Sequence, residues 1–330
     1  MFKKTFLFIT TILVATSAST GYNSQDLFKG DSLPITAFLD WFNIAEKYVH
    51  IKGLIILDLI PAVFLIIQAS LFFKDREKIK GLFTILSLLA NLIGVIIVLQ
   101  FAYPIASQIA GWTPDTIPSN SISLKDDWIK YIGLYGLTGV IGLLFFLITY
   151  FVPAKKNNGL KQLHPFLNVI KNALAFILTF FLLMGGAARF YDFTFFPILY
   201  KISGTTFIEM HRPMDLAMRN AGPIIFTFIL SLLAILTILF FIEKSRNKGF
   251  LIIAAIIFLL CDTLVALKGN RPLNDLFLTW TPTTIPGNWS GLRNEWLGYH
   301  FYRGIFFTLL LYSFLLIYFV PKNKSKIHAL

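Results

Sequence analysis

Four side chains near the C-terminus have the types and the spacing of a functional site. They follow one another at intervals of three, four and three residues: Arg293, Trp296, His300 and Arg303. In an α-helix this spacing places them on one stripe of the surface. Arginine side chains bind anionic groups, and a histidine exchanges protons near neutral pH. The stripe therefore predicts either acid–base chemistry or the binding of an anion.

Two further groups of polar residues are predicted to lie beside this stripe. Arg303 is at the edge of an apolar segment, where a cation that faces lipid is unfavourable, so we expect it to face the interior or a polar cavity. One of the two groups precedes the last long loop, and the other lies earlier in the chain. Together they contain Asn270, Arg271 and Asn274, and His211, Arg212, Asp215, Arg219 and Asn220.

The sequence repeats itself at a constant offset, the repeat offset, which carries Trp112 onto Trp280. Residues 280–288 match 112–120 at seven of nine positions, and 318–321 repeat 150–153 without a change. A fixed long period of this kind indicates a duplicated unit. We therefore predict a first unit at 1–153, a linker at 154–168 and a second unit at 169–322.

The predicted polar site is not repeated. The tryptophan and proline framework occurs in both units, whereas most of the ionisable residues occur in the second alone. This difference predicts a working site in the second unit and a degenerate first unit. The first unit has Lys125, Trp128, Ile132 and Tyr135 at the positions of the stripe, Ala102 and Tyr103 for Asn270 and Arg271, and Asn43 for His211.

The composition excludes an ordinary soluble domain. Hydrophobic residues make up 56% of the chain, charged residues make up 14%, and the mean hydropathy is +0.71. About 20 apolar residues cross the ~30 Å hydrocarbon core as a helix. The sequence predicts an all-α membrane protein with eight such helices, four in each unit, and with both units in the same orientation. The segments are 5–20, 53–73, 81–101, 131–152, 171–188, 221–242, 249–267 and 301–320.

The charge distribution predicts the orientation in the membrane. If the N-terminus is cytoplasmic, the segments on its side contain 16 of the 29 Lys and Arg residues but three of the 17 acidic ones. Basic loops remain on the cytoplasmic side. We therefore predict a multi-pass protein of a bacterial inner membrane, with both termini in the cytoplasm and the site at the opposite face. The net charge of +12 lies in these loops and predicts no nucleic-acid partner.

The first helix and the single cysteine allow two smaller predictions. Residues 1–19 also have the form of a secretory signal, but 3–20 align with 171–188, so cleavage would leave the first unit one helix short. We therefore expect the segment to be retained. Cys261 lies in an apolar span and is predicted to be a buried hydrophobic residue.

The second unit resembles the anthrone oxygenase-like family of small four-helix membrane proteins. The resemblance covers about 170–325, and the first unit matches only in its framework. It rests on an aromatic segment at 189–197, on 214–223, on Asn270-Arg-Pro-Leu-Asn274, and on the final Arg293, Trp296, His300 and Arg303.

The resemblance implies an oxygenase that needs neither metal nor flavin and acts on a small aromatic or enolisable compound. It implies that His300 is the general base. Arg271, Arg293 or Arg303 would stabilise the enolate oxygen, and Trp296 would pack against the flat ring. The implied catalytic residues are His300, Arg303 and Arg271, and the implied substrate-binding residues are Asn270, Asn274, Arg293, Trp296, Asn220 and His211.

Other functions stay open at this stage. The arginines could clamp an anionic or quinone-like ligand in a binding or transport protein without catalysis. His211 and His300 could ligate a haem, although no Cys-x-x-Cys-His motif occurs. A scaffold without chemistry is the fourth interpretation. We predict no cofactor and no metal; the lipid bilayer and a small molecule are the expected partners, and the oligomeric state is not predicted.

Overall fold

The computed structural model describes residues 2–22, 33–49, 51–152 and 165–320, and each regular element in these ranges is helical. The predicted linker at 154–168 lies mostly outside these ranges. The first half contains α1 (Phe2–Tyr22), α2 (Ile35–Val49), α3 (Ile51–Lys74), α4 (Lys78–Ile97), α5 (Tyr103–Ile109) and α6 (Ser121–Phe151). The second half contains α7 (Pro165–Leu199), α8 (Gly204–Ile242), α9 (Arg246–Val265), α10 (Arg271–Leu278) and α11 (Trp289–Leu315).

Two π-helical turns lengthen the helices beyond the predicted spans. Val98–Ala102 joins α4 to α5, and Ala266–Asn270 joins α9 to α10. A proline follows each turn near the start of the next helix. A wider turn accommodates a residue that lacks a backbone N–H and clashes with the preceding turn. The continuous runs are therefore 32 and 33 residues long, and the predictions that they end at 101 and 267 were too short.

Helix α8 contains two prolines, residues that usually break or kink a helix. It continues through Pro213 and Pro223 for 39 residues. Its first turns bury Phe207, Ile208 and Met210 in an apolar core, and this packing outweighs the loss of single backbone hydrogen bonds. At 1.5 Å per residue the helix is about 58 Å long, nearly twice the ~30 Å of a hydrocarbon core.

The two ends of the bundle differ in construction. One end, the turn end, has the tight turns at 75–77 and 243–245, in which Arg76 and Lys244 each adopt a φ of 59°. The other end, the cap end, contains α2, α5, α10 and the start of α8. Long helices that cross from the turn end continue into the cap end, which is where the predicted site residues lie.

Each end has its own apolar core. The core nearer the turn end joins both halves and includes Leu65, Phe146, Leu236 and Phe314. The core of the cap end also draws on both halves, and it is rich in aromatic side chains. Its members include Phe38, Trp41, Trp128, Phe207, Phe277, Trp280 and Trp296. The cap end is therefore a packed structure in which α2 and the start of α8 are regular helices.

Six helices in the described part of the chain are long and apolar enough to cross a membrane. They are Lys78–Ile109, Ser121–Phe151, Phe166–Gly186, Gly204–Ile242, Arg246–Leu278 and Trp289–Tyr318. Within α1 and α3 the corresponding apolar stretches are shorter, Thr5–Thr16 and Leu59–Lys74. The all-α membrane class is confirmed, and the count of eight spans stays a prediction.

Several contacts of the first half recur in the second at the repeat offset. Thr11 Oγ1 bonds to the hydroxyl of Tyr150, and Thr179 Oγ1 bonds to that of Tyr318 at 2.6 Å. Lys3 pairs with Asp75, and in the second half Lys171 pairs with Glu243 at 2.7 Å. The second ion pair is buried, with 7% and 9% of its side chains exposed, whereas each side chain of the first is 40% exposed.

This difference in burial predicts different effects of removing the two lysines. Lys171→Met should destabilise the fold by about 3 kcal/mol, because Glu243 would lose a buried counter-ion. Lys3→Met should change the stability by less than about 1 kcal/mol, since an exposed pair is screened by water. Thermal unfolding of both variants in the same detergent compares them directly, and equal losses would contradict the assignment of a buried pair.

Candidate functional site

Asn274, on α10, is the centre of a hydrogen-bond network at the cap end. Its Oδ1 lies 2.6 Å from Trp296 Nε1 on α11 and 3.1 Å from His211 Nε2 on α8. Its Nδ2 donates to Asp215 Oδ1 at 2.7 Å. The side chain of one residue therefore joins three helices, and all its partners are buried.

The network determines which nitrogen of neutral His211 bears the proton. A carboxylate accepts and an indole N–H only donates, so the contacts with Asp215 and Trp296 fix the orientation of the Asn274 amide. Its Oδ1 accepts, and His211 Nε2 must therefore donate. The basic lone pair of neutral His211 is then on Nδ1. The ring itself is held between Phe207, Phe277 and Trp296 at centroid distances of 5.1 to 5.5 Å.

Trp296 is fixed at both its indole and its backbone. Asn274 accepts from the indole, and Asn270 Nδ2 donates to the Trp296 carbonyl oxygen at 3.1 Å. Asn270 is almost wholly buried, and its Oδ1 has no hydrogen-bond partner among the described residues. The ring of His300 lies 4.1 Å from that of Trp296, centroid to centroid, and is half-buried. The structure thus brings Asn270, Asn274, Trp296, His211 and His300 together, as predicted.

Arg303 faces the interior, where it pairs with Asp262 of α9. Arg303 Nε donates to Asp262 Oδ1 at 3.0 Å, and both side chains are largely buried. The expectation that Arg303 avoids lipid is met by this contact. Because the carboxylate compensates the guanidinium, the pair as a whole is close to neutral.

Two other arginines of the second half are also bound within the protein. Arg219 donates to Asp215 and to Asp275, each at 2.5 Å. Arg212 donates to the carbonyl oxygens of Leu278 and Trp280. Asp275 was outside the predicted site, because its contact with Arg219 joins segments that are distant in the chain. The sequence contained one indication of these ion pairs, the four-residue spacing of Asp215 and Arg219.

Arg293 differs from these arginines in its environment. It is 5% exposed, and its guanidinium lies 4.7 Å from the ring centre of Trp289 and 5.7 Å from that of Tyr200. Its Nε and Nη2 donate to Asn294 Oδ1 at 3.3 and 3.2 Å. No carboxylate of the described residues forms an ion pair with it. Sequence reasoning missed Tyr200, which directly follows α7 and is distant in the chain.

The structure separates two predicted residues from this cluster. Arg271 and Asn220 are exposed, and the side chain of neither forms a hydrogen bond with another described residue. Arg271 follows the π-turn directly, and the turn places its neighbour Asn270 in the interior. The side chains of 187–195, which include most of the aromatic segment used for the family resemblance, lie outside the described part.

The described residues of the first half form no such network in the corresponding region. Ala106 stands where Asn274 is, and Trp128 Nε1 has no hydrogen-bond partner among the described residues. Trp128 packs instead against Phe38, Trp41 and Phe42. Where Asp262 and Arg303 form an ion pair, the first half has Gly94 and Tyr135, and the tyrosine ring lies against the glycine.

Comparison with known proteins does not add a relative. No protein-family model matches the chain, and neither a curated protein nor a solved structure matches it. The resemblance to the anthrone oxygenase-like family therefore stays a prediction.

The central position of Asn274 predicts a large effect of its removal. Asn274→Ala should destabilise the fold by about 3 kcal/mol, because three buried polar groups would lose a partner. Asn220→Ala is the matched control, since Asn220 is exposed and should change the stability by less than about 0.5 kcal/mol. Unfolding monitored by tryptophan fluorescence measures both, and an Asn274→Ala variant as stable as the control would rule out the network.

Proposed function

We propose that this chain is a multi-pass membrane protein whose second half binds a small aromatic or enolisable compound at the cap end and removes a proton from it. The finer architecture belongs to the same proposal: eight membrane helices arranged as two tandem four-helix units with equal orientation. The recurrence of turns, π-segments and tyrosine–threonine bonds at one offset supports the two units.

The single observation that carries the proposed site is the arrangement of His300 and Trp296. His300 is half-buried and lies against an indole ring that two asparagines hold in place. Counting about 20 residues from the turn end of α11 places Trp296 and His300 near the boundary of the hydrocarbon core. A flat apolar compound dissolved in the bilayer could therefore reach a base without crossing water.

The chemistry follows from an acidic C–H bond beside a carbonyl group. His300 takes the proton, and the electron pair remains on the substrate as an enolate. The enolate transfers an electron to molecular oxygen, and recombination and loss of water convert the methylene group to a carbonyl. The overall change is CH₂ + O₂ → C=O + H₂O, so the proton that His300 removes leaves in the water. No metal or flavin is needed for this sequence.

An enolate would be stabilised by a buried arginine that is not already paired with a carboxylate. Arg303 is already compensated by Asp262, and Arg271 is exposed. Arg293 is the predicted arginine that is buried and has no carboxylate partner among the described residues. We therefore assign to Arg293 the positioning or stabilisation of an anionic oxygen. The same observation favours the second candidate function, non-catalytic binding of an anionic or quinone-like ligand.

The proposal predicts that His300→Ala abolishes turnover without loss of the fold. With an anthrone as the probe and oxygen consumption as the measurement, the rate should fall by about 10²- to 10⁴-fold, which is the usual contribution of a general base. Ile132→Ala, at the equivalent position of the first half, is the control and should retain the activity. Normal turnover by the His300 variant would refute the role of the base.

Ligand binding separates the two candidate functions. An anthraquinone that binds should quench the tryptophan fluorescence of the wild-type protein. If it does so, and the protein consumes no oxygen with any anthrone, the result would support non-catalytic binding. In that case Arg293→Gln should weaken the binding at least about tenfold, corresponding to the loss of one charged hydrogen bond.

The proposed orientation has its own test. Both termini and the turns at 75–77 and 243–245 should be cytoplasmic, because the basic residues are concentrated there. A reporter that is active only in the cytoplasm should therefore be active when it is fused to either terminus. Opposite locations would contradict an even number of spans.

A further inference from the structure

The membrane-spanning part of the first half contains a stripe of buried polar side chains. Thr84, Ser87 and Asn91 lie on α4 at intervals of three and four residues, so they share one face of the helix. All three are buried, and so is Gln68 on the neighbouring helix α3. Gly142 on α6 lies against this face, since a Cβ atom there would be 3.7 Å from Ser87 Oγ.

The second half has an apolar residue at each of these positions. The repeat offset carries the four polar residues onto Leu236, Ile252, Ala255 and Leu259. All four belong to the buried apolar core. The backbone framework therefore does not require polar groups at these positions, and the first half contains them for another reason.

Two of these polar groups lack a hydrogen-bond partner in the part of the chain that the structure describes. Gln68 Oε1 and Ser87 Oγ are wholly buried and form no hydrogen bond with any described residue. Thr84 Oγ1, in contrast, donates to the Lys80 carbonyl oxygen at 2.9 Å. Lipid offers no hydrogen bonds, and buried polar atoms in folded proteins are nearly always satisfied. The described residues therefore leave the oxygen atoms of Gln68 and Ser87 available to a further hydrogen-bond donor.

The stripe begins at the turn end and reaches deep into the bundle. At 1.5 Å per residue, Ser87 lies about 14 Å from Lys78 and Asn91 about 20 Å, which is some two-thirds of a ~30 Å hydrocarbon core. The charged pair of Lys80 and Glu77, at 2.9 Å, lies at the start of the stripe. A continuous polar face thus runs from the aqueous side into the membrane.

We propose that the first half holds a hydrated polar column that is open at the turn end. The column binds a small molecule or ion that directs a positive charge, or the positive end of its dipole, at the oxygen atoms of the stripe. Water and a monovalent cation share this chemistry. Both present a positive charge to neutral amide and hydroxyl oxygens, which are hard ligands. The stripe itself contains no carboxylate, which a divalent cation would favour.

Cysteine accessibility tests the column directly. Cys261→Ala removes the one native cysteine. In that background Ser87→Cys is compared with Ala255→Cys, its counterpart at the repeat offset, and both original side chains are fully buried. The proteins are placed in lipid nanodiscs and treated with a small, water-soluble cationic thiosulfonate. The cysteine at 87 should react at least about tenfold faster, because only the thiolate reacts and it forms where water reaches.

The outcomes are distinct. Slower reaction at 87 in sodium chloride than in choline chloride would identify a cation as the occupant, and equal rates in the two salts would identify water. Equal, slow reaction at 87 and 255 would overturn the proposal. If the Ser87 variant does not fold, Thr84→Cys and Ile252→Cys form a second matched pair. None of these positions belongs to the proposed site of the second half, so oxygen consumption should be unchanged.

Discussion

The length of the helices relative to the bilayer is the constraint on which the candidate site depends. Helix α8 is about 58 Å long, whereas the hydrocarbon core is ~30 Å thick. The surplus length continues as helix at the cap end and includes Pro213. The ends of α8, α10 and α11 meet there and bury a second apolar core. A rigid support of this kind allows Asn274 to hold His211 and Trp296 in one arrangement.

The sequence predicted the parts of this structure that depend on local pattern. Apolar runs located the membrane helices, and the spacing of Trp296 and His300 placed their rings together. Contacts between distant segments could not be predicted in the same way. Asn274 meets Asp215, 59 positions away, only because α8 and α10 pack side by side. A proline inside a helix favours a break, but at Pro213 the burial of the first turns of α8 outweighs this effect.

Arg271 shows a second limit of sequence periodicity. In a regular helix of 3.6 residues per turn, the spacing of Arg271 from the neighbouring polar residues would fix the face of the helix on which it lies. The π-turn at Ala266–Asn270 changes that relation, and Arg271 is exposed while Asn270 is buried. No residue pattern at 266–270 indicated the turn, although the proline that follows it is consistent with one.

The polar residues of the two halves are complementary in position. At the cap end the second half has Asn274 and His300 where the first has Ala106 and Ile132, whereas near the turn end the first half has Gln68 where the second has Leu236. The two halves thus place their polar groups at different depths. The assumption that the first half is merely degenerate does not account for its buried amides.

The π-turn of the second half contains about one residue more than an ordinary helical turn needs. One additional residue in a regular α-helix would rotate everything beyond it by about 100°, whereas the wide turn takes up that residue locally. Asn274 therefore faces His211 and Trp296 although the additional residue precedes it. The winding of the chain at 266–270, as well as the side chains of the network, thus determines how the cap end is oriented.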